Sequence, residues 1–253
     1  MNTKDNVRVY ATINELAQAA AQDFFHSSQK AIADHGFFSV ALSGGSTPKS
    51  LFDELAAHYS DTIEWNKVVF FWGDERYVPY ADEKSNYHTA RKYLLSRVPV
   101  AEKNIFPLPT NFADPSEAAL SYQKSVRNFF HNNKSASIDL FYLGMGSDGH
   151  TASLFSDSPI VQQCAKGSED TQQLITAHYV QKMNQWRLSA TPSFIRAAQA
   201  IVLLISGEDK AQTLLKVLEG SYQPTSLPVQ LITHLNNHCV FLLDKAAAAG
   251  LTR

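Results

Sequence analysis

The 253-residue chain sets 22 Lys and Arg against 24 Asp and Glu, a net charge of −2, and 44% of its residues are hydrophobic. That composition excludes wholesale disorder and leaves no broad basic face for nucleic acid. No run reaches the roughly 18 apolar residues of a membrane span, and residues 1–10 lack the apolar centre of a signal peptide. The two cysteines, Cys164 and Cys239, are far apart and outside metal-ligand spacing, so a soluble, cytoplasmic protein with reduced thiols is expected.

Residues 7–11 alternate in polarity and predict a first strand. Thr12 to Glu15 reads as a capping box opening a helix that should run to about residue 35 and stop at Gly36. Residues 37–42 are apolar and β-prone, a second strand, and lead into Ser43-Gly44-Gly45-Ser46-Thr47-Pro48. Thr47 as N-cap and Pro48 as first helical residue predict the next helix, with Leu51, Phe52 and Leu55 on one face. Residues 68–72 predict a third strand, followed by the polar segment Gly73-Asp74-Glu75-Arg76. A loop reaches Ser85, and a helix follows over 86–97. Pro99, Pro107 and Pro109 keep the next stretch irregular, and Asp114-Pro115-Ser116-Glu117 caps a helix to about residue 131.

Residues 138–143 form another apolar strand, ending at Gly144-Met145-Gly146-Ser147-Asp148-Gly149-His150, where Thr151 and Ser153 mark the start of a helix. Residues 173–179 and 186–190 read as a strand pair, and Thr191-Pro192 opens a short helix. Residues 200–205 are the most apolar strand, and Ser206-Gly207-Glu208-Asp209-Lys210 leads into a helix closed by Gly220. Residues 239–243 predict a last strand and 245–249 a terminal helix. No repeat or low-complexity linker interrupts the chain, so one domain over 1–253 is expected. Strands alternating with helices predict an α/β fold: a doubly wound, mostly parallel sheet with helices on both faces, plus a small additional strand pair.

In such sheets ligands bind outside the carboxyl ends of the strands. Four polar, glycine-bearing segments fall at predicted strand ends: 43–47, 73–76, 144–150 and 206–210. The first offers N–H groups and hydroxyls at a helix N-terminus, which suit a phosphate; a tight strand-to-helix turn would read the same. It fits neither GxxxxGK(S/T) nor GxGxxG, which argues against a nucleotide site. Lys210 near a helix N-terminus opposes the helix dipole, and a shared phosphate would explain it, although a solvated lysine is the plainer alternative. Arg187, in a strand, could add a bidentate phosphate contact or serve as an edge charge.

Asp74 and Arg76 point to the same side of an extended segment, where Arg76 could hold a developing oxyanion; a local salt-bridge cluster is the alternative. Asp148 and His150 alone are too few for a metal site. Met145-Gly146-Ser147-Asp148-Gly149 misses the serine-esterase elbow at its first position. Water activation or proton shuttling by His150 is left, against a glycine-rich turn with a surface histidine.

As a set these segments resemble the 6-phosphogluconolactonases. The matching pieces, in order, are Ser43 to Pro48, Gly73 to Val78, Ser85-Asn86, Gly144 through Asp148-Gly149-His150-Thr151-Ala152-Ser153-Leu154-Phe155, Arg187 to Thr191, and Gly207 with Lys210. The resemblance continues to Leu242-Leu243-Asp244-Lys245-Ala246-Ala247 and so covers essentially the whole chain. Ser156 stands where that family usually has proline, and Ser189 where it has threonine. The related glucosamine-6-phosphate deaminases share the glycine loop and the Asp-Gly-His segment, but residues 74–76 and 151–155 are lactonase-like.

The resemblance implies hydrolysis of 6-phospho-D-glucono-1,5-lactone, the second step of the oxidative pentose phosphate pathway, with no metal or organic cofactor. It implies His150 as general base, and Asp148, Arg76 and Asp74 at the reacting end. Ser43, Gly44, Gly45, Ser46, Thr47, Arg187 and Lys210 would bind the phosphate. A small phosphorylated lactone as partner, no nucleic acid or membrane, and a monomer or homodimer complete the expectation. The alternatives are a deaminase or aldose–ketose isomerase using the same phosphate site, and a catalytically inactive sugar-phosphate sensor.

Overall fold

The computed structural model describes residues 6–234 and 238–252. Among these, the apolar runs of the sequence become the strands of one parallel sheet: β1 (Val7–Tyr10), β2 (Phe38–Leu42), β3 (Val68–Trp72), β5 (Leu140–Leu143), β8 (Ala200–Ile205) and β9 (Cys239–Asp244). Their order is β1-β9-β8-β5-β2-β3, and every neighbouring pair is parallel. Every residue of β2, β3 and β5 is buried, which is why these strands read as apolar runs, with Ser39 the polar member of β2.

A second, antiparallel sheet has the order β4 (Asp74–Arg76), β7 (Gln185–Ala190), β6 (Ile175–Val180). The expected strand pair is therefore three strands. The third strand comes from the polar segment after β3, because Gly73 hands the chain from one sheet to the other. Its N–H donates to Leu42 O at 2.9 Å, and its carbonyl accepts from Ala190 N–H at 2.7 Å. Arg187 accordingly sits in the central strand, not at an edge. One hydrophobic cluster joins the two sheets, with Phe141 and Leu143 of β5 in the same core as Leu188 of β7 and Ile175 of β6.

The helices are α1 (Ile13–His35), α2 (Ser46–His58), α3 (Asn86–Ala90), α4 (Pro115–Asn132), α5 (Pro159–Ala165), α6 (Pro192–Arg196), α7 (Ala211–Glu219) and α8 (Gln230–Thr233). Thr12 caps α1 by accepting from Glu15 N–H, and Gly36 ends it at φ 92°. Leu16, Ala20 and Phe24 of α1 enter the core. The helix expected over 86–97 is α3 continued by a π-helical turn, Arg91–Leu95. No helix of the described residues is long and apolar enough to cross a membrane.

Three helix expectations are corrected. Helix α2 begins before Pro48: Gly45 at φ 112° turns the chain, and Thr47 lies in the first turn with its hydroxyl 2.8 Å from Ser206 Oγ instead of capping. No helix starts at Thr151 or Ser153. Thr151 Oγ1 donates to Gly144 O and Ser153 Oγ to Asp74 Oδ2, each at 2.7 Å, so the would-be caps close the loop and tie it to β4. Residues 245–249 form turns, a run too short to propagate a helix beyond the contacts Asp244 makes with Ala247 and Ala248.

Candidate active site

The strands β8, β5, β2 and β3 are consecutive neighbours and parallel, so their carboxyl ends lie along one edge of the sheet. The four polar segments that follow them meet there. They line a cleft of about 250 Å³ whose walls include Ser43 to Pro48, Asp74 and Arg76, Gly144 to Gly146, His150 to Ala152, Ser206 and Lys210. The Thr47–Ser206 hydrogen bond clips the loop after β2 to the loop after β8.

After β2 the chain turns through Gly44 and Gly45 into α2. No side chain caps this helix, so its first N–H groups remain available to an anion. Gly44 passes so close to Asn86 that a β-carbon there would lie 1.9 Å from Asn86 Oδ1. Lys210 stands at the junction of a 3-10 turn and α7, its ammonium 2.6 Å from Asp209 Oδ2.

After β5, His150 lies in a loop folded on itself: Gly146 N–H donates to His150 O at 2.8 Å, and Gly149 N–H to Gly146 O at 3.0 Å. The imidazole Nδ1 is 2.5 Å from Asp148 Oδ1, and its ring is 4.2 Å from that of Phe155. The hydrogen bond from His150, reinforced by Lys182, holds the Asp148 carboxyl well below the usual carboxylate range despite partial burial. An ionised carboxylate only accepts, so Nδ1 carries a hydrogen, and the neutral ring would hold its lone pair on Nε2.

Asp74 is buried; it accepts from Ser153 Oγ at 2.7 Å and from Asn86 Nδ2 at 3.2 Å, with Asn86 Nδ2 also donating to Asp74 O at 2.9 Å. Arg76 Nη1 donates to Lys84 O at 2.5 Å, while Arg76 Nε and Asn86 Oδ1 are buried with no hydrogen-bond partner among the described residues. Two groups flanking the cleft thus have spare hydrogen-bonding capacity, one donor and one acceptor. Among the described residues no group of three or more His, Cys, Asp or Glu could hold a metal ion.

Arg187 and Asp148 do not line the cleft. Asp148 acts on it through His150. Arg187 is the cross-strand partner of Arg76 and lies beside it on the neighbouring strand, its Nη2 3.1 Å from Met183 Sδ. Burial pushes its guanidinium below the ordinary arginine value. Of the residues expected at the phosphate, Ser43–Thr47 and Lys210 line the cleft and Arg187 does not.

Glu75 is 1% exposed and organises the cleft wall from behind. Its Oε1 accepts from Arg76 and Asn86 N–H at 2.8 and 2.7 Å; its Oε2 accepts from Tyr87 N–H at 2.8 Å and Ser85 Oγ at 3.0 Å. Burial nevertheless pushes its carboxyl up from 4.5 to about 7. A carboxyl raised on folding contributes stability that is complete below its unfolded value and is lost as pH rises through the folded one. The interval is worth roughly 3 kcal/mol. Thermal unfolding should show Tm falling between pH 5 and 8, with Glu75→Gln flattening that slope; an equal slope in both proteins would contradict the assignment.

The sequence pointed to most of this site and missed two members. Asn86 was visible only as part of Ser85-Asn86 at a helix start. Lys182 lies in a polar turn with no sequence signal at all; only the hairpin geometry brings it to Asp148.

The chain matches the model of the glucosamine-6-phosphate isomerases/6-phosphogluconolactonase over residues 11–241. A 6-phosphogluconolactonase of Synechocystis sp. is 37% identical over 224 residues, 88% of each chain. The 6-phosphogluconolactonase structure from Trypanosoma cruzi matches with a TM-score of 0.84 at 28% identity, over 100% of this chain and 99% of that one. A monomeric glucosamine-6-phosphate deaminase matches with a TM-score of 0.81 over 97% and 100% of the two chains, but at 18% identity, which shows a common fold alone. With the family model spanning most of the sequence and curated relatives aligned over nearly nine-tenths of it, the chain belongs to the glucosamine-6-phosphate isomerase/6-phosphogluconolactonase family.

Proposed function

We propose that the chain, working as one catalytic domain, hydrolyses 6-phospho-D-glucono-1,5-lactone to 6-phosphogluconate by water that His150 activates. The observation that carries this reading is the shared cleft: an imidazole whose neutral form holds a lone pair on Nε2, and an uncapped helix N-terminus with a lysine. The substrate has the matching groups, a cyclic ester at one end and a phosphate of about −1.5 to −2 charge at the other.

In this reading the Ser43–Thr47 loop, the α2 N-terminus and Lys210 hold the phosphate and fix the ring relative to His150. His150 Nε2 takes a proton from water as its oxygen bonds to C1. Negative charge builds on the carbonyl oxygen, and Arg76 stabilises it. As the intermediate collapses, the bond from C1 to the ring oxygen breaks, and imidazolium returns its proton to that oxygen as an alcohol. The new carboxyl group then ionises. Asp148 keeps the ring hydrogen on Nδ1, and Asp74 fixes Asn86 and Ser153. Arg187 has no phosphate contact in this account; it supports Arg76 from the neighbouring strand.

Lys210 tests the phosphate half. A charge-assisted hydrogen bond is worth about 1.5–3 kcal/mol, so Lys210→Met should lower kcat/KM roughly 10- to 150-fold, mainly through KM. The same variant should act on unphosphorylated gluconolactone at the wild-type rate. Equal losses on both lactones would remove Lys210 from the phosphate site. Ammonia release from glucosamine 6-phosphate, assayed alongside, tests the deaminase alternative.

A further inference from the structure

The β6–β7 hairpin carries a side chain into the catalytic loop. Its turn is a 3-10 helix over Gln181–Met183, ended by Asn184 in the left-handed conformation at φ 49°. From this turn Lys182 pairs with Asp148 Oδ2, the carboxylate oxygen that His150 does not use. The same ammonium lies 4.5 Å from the centre of the Phe155 ring, and that ring packs on His150. Asp148, His150, Phe155 and Lys182 thus form a closed circuit of contacts.

The Lys182 and Asp148 side chains are 47% and 44% exposed. An ion pair that open to solvent adds little to stability, so its place in the fold calls for another explanation. A carboxylate hydrogen-bonded to an imidazole orients it but also favours the cation. An imidazolium cannot take a proton from water. A second cation on the same carboxylate offsets the bias and leaves the orienting hydrogen bond in place.

We propose that Lys182 is a positioning residue: by holding the far oxygen of Asp148, it lets the carboxylate aim His150 without trapping the ring as imidazolium. This rests on the lactonase reading for its purpose, though not for its electrostatics. The other charged groups around His150 come from Asp74 and Arg76 on β4 and from Lys210 ahead of α7, and His178 of β6 lies behind Phe155, 6.4 Å from its ring. None of these pairs with Asp148 in the structure. Lys182 is therefore the cation whose removal should be felt most directly at the Asp148–His150 pair.

The test is an NMR titration of the His150 imidazole nitrogens in wild type, Lys182→Met and Lys182→Arg, with His150→Gln to assign the signal. The midpoint in Lys182→Met should rise by roughly 0.3–1 pH unit, the size of one partly screened charge at this separation. Lys182→Arg should restore it, and Tm should change little in either variant. In turnover, the acidic limb of kcat/KM for the phosphorylated lactone should move the same way, with KM nearly constant and the loss recovered at higher pH. An unmoved NMR midpoint in a folded Lys182→Met protein would overturn the proposal, as would a uniform loss at every pH. If wild type showed no lactonase activity, the functional reading would fail, and the NMR midpoints would still decide the role of Lys182.

Discussion

Replacing His150 with alanine should lower kcat on the phosphorylated lactone by about 10²–10⁴, the range that general acid–base catalysis contributes. KM should change little, because the residues proposed to hold the phosphate share no hydrogen bond with the imidazole. The fold should survive: the His150 side chain is partly exposed, and the loop around it is closed by backbone hydrogen bonds that the substitution retains. Steady-state kinetics on a variant with wild-type Tm is the relevant measurement. Turnover within a factor of two or three of wild type would take the base assignment away from His150 and leave water to be activated elsewhere in the cleft.

Gly146→Ala should do nearly as much without touching any functional group. A β-carbon at residue 146 would lie 2.1 Å from His150 Nδ1 and 2.6 Å from Asp148 Oδ1. Those atoms belong to side chains, so the protein can accommodate the methyl group by swinging the imidazole away from its carboxylate. A displacement of about 1 Å in a catalytic group can cost 10²-fold in rate. We therefore expect kcat to fall about 100-fold, with Tm close to wild type and phosphate affinity retained. A large fall in Tm with residual activity in proportion to folded protein would instead make Gly146 a purely structural residue.

The reason Gly146 is glycine could not be read from the sequence, although Gly144, Gly146 and Gly149 marked the loop as unusual. Glycine spacing reports that the backbone turns sharply; it does not say which side chain occupies the room. The strands were legible because β2, β3 and β5 are buried on both faces, and Ser39 is the single small polar residue of β2. Parallel pairing followed from the alternation of strands with helices, and with it the expectation that the four polar segments share one edge.

Where the reading failed, long-range contacts overrode local signals. Thr151 and Ser153 look like caps, but their hydroxyls are taken by Gly144 and by Asp74 on another sheet. Residues 74–76 could be read as extended, but not as a strand of a second sheet, because the partner strand lies more than a hundred residues away in sequence. Arg187, expected as a phosphate ligand, is not among the side chains that line the cleft; strand register sets it beside Arg76.

The central claim is that one imidazole and one phosphate cradle serve the same substrate. A pH-stat assay on freshly prepared 6-phospho-D-glucono-1,5-lactone tests it most directly, with unphosphorylated gluconolactone as comparison and spontaneous ring opening subtracted. The account predicts rapid acid release from the phosphorylated lactone and far slower release from its unphosphorylated counterpart. Background rates on both lactones, with ammonia released from glucosamine 6-phosphate, would contradict it.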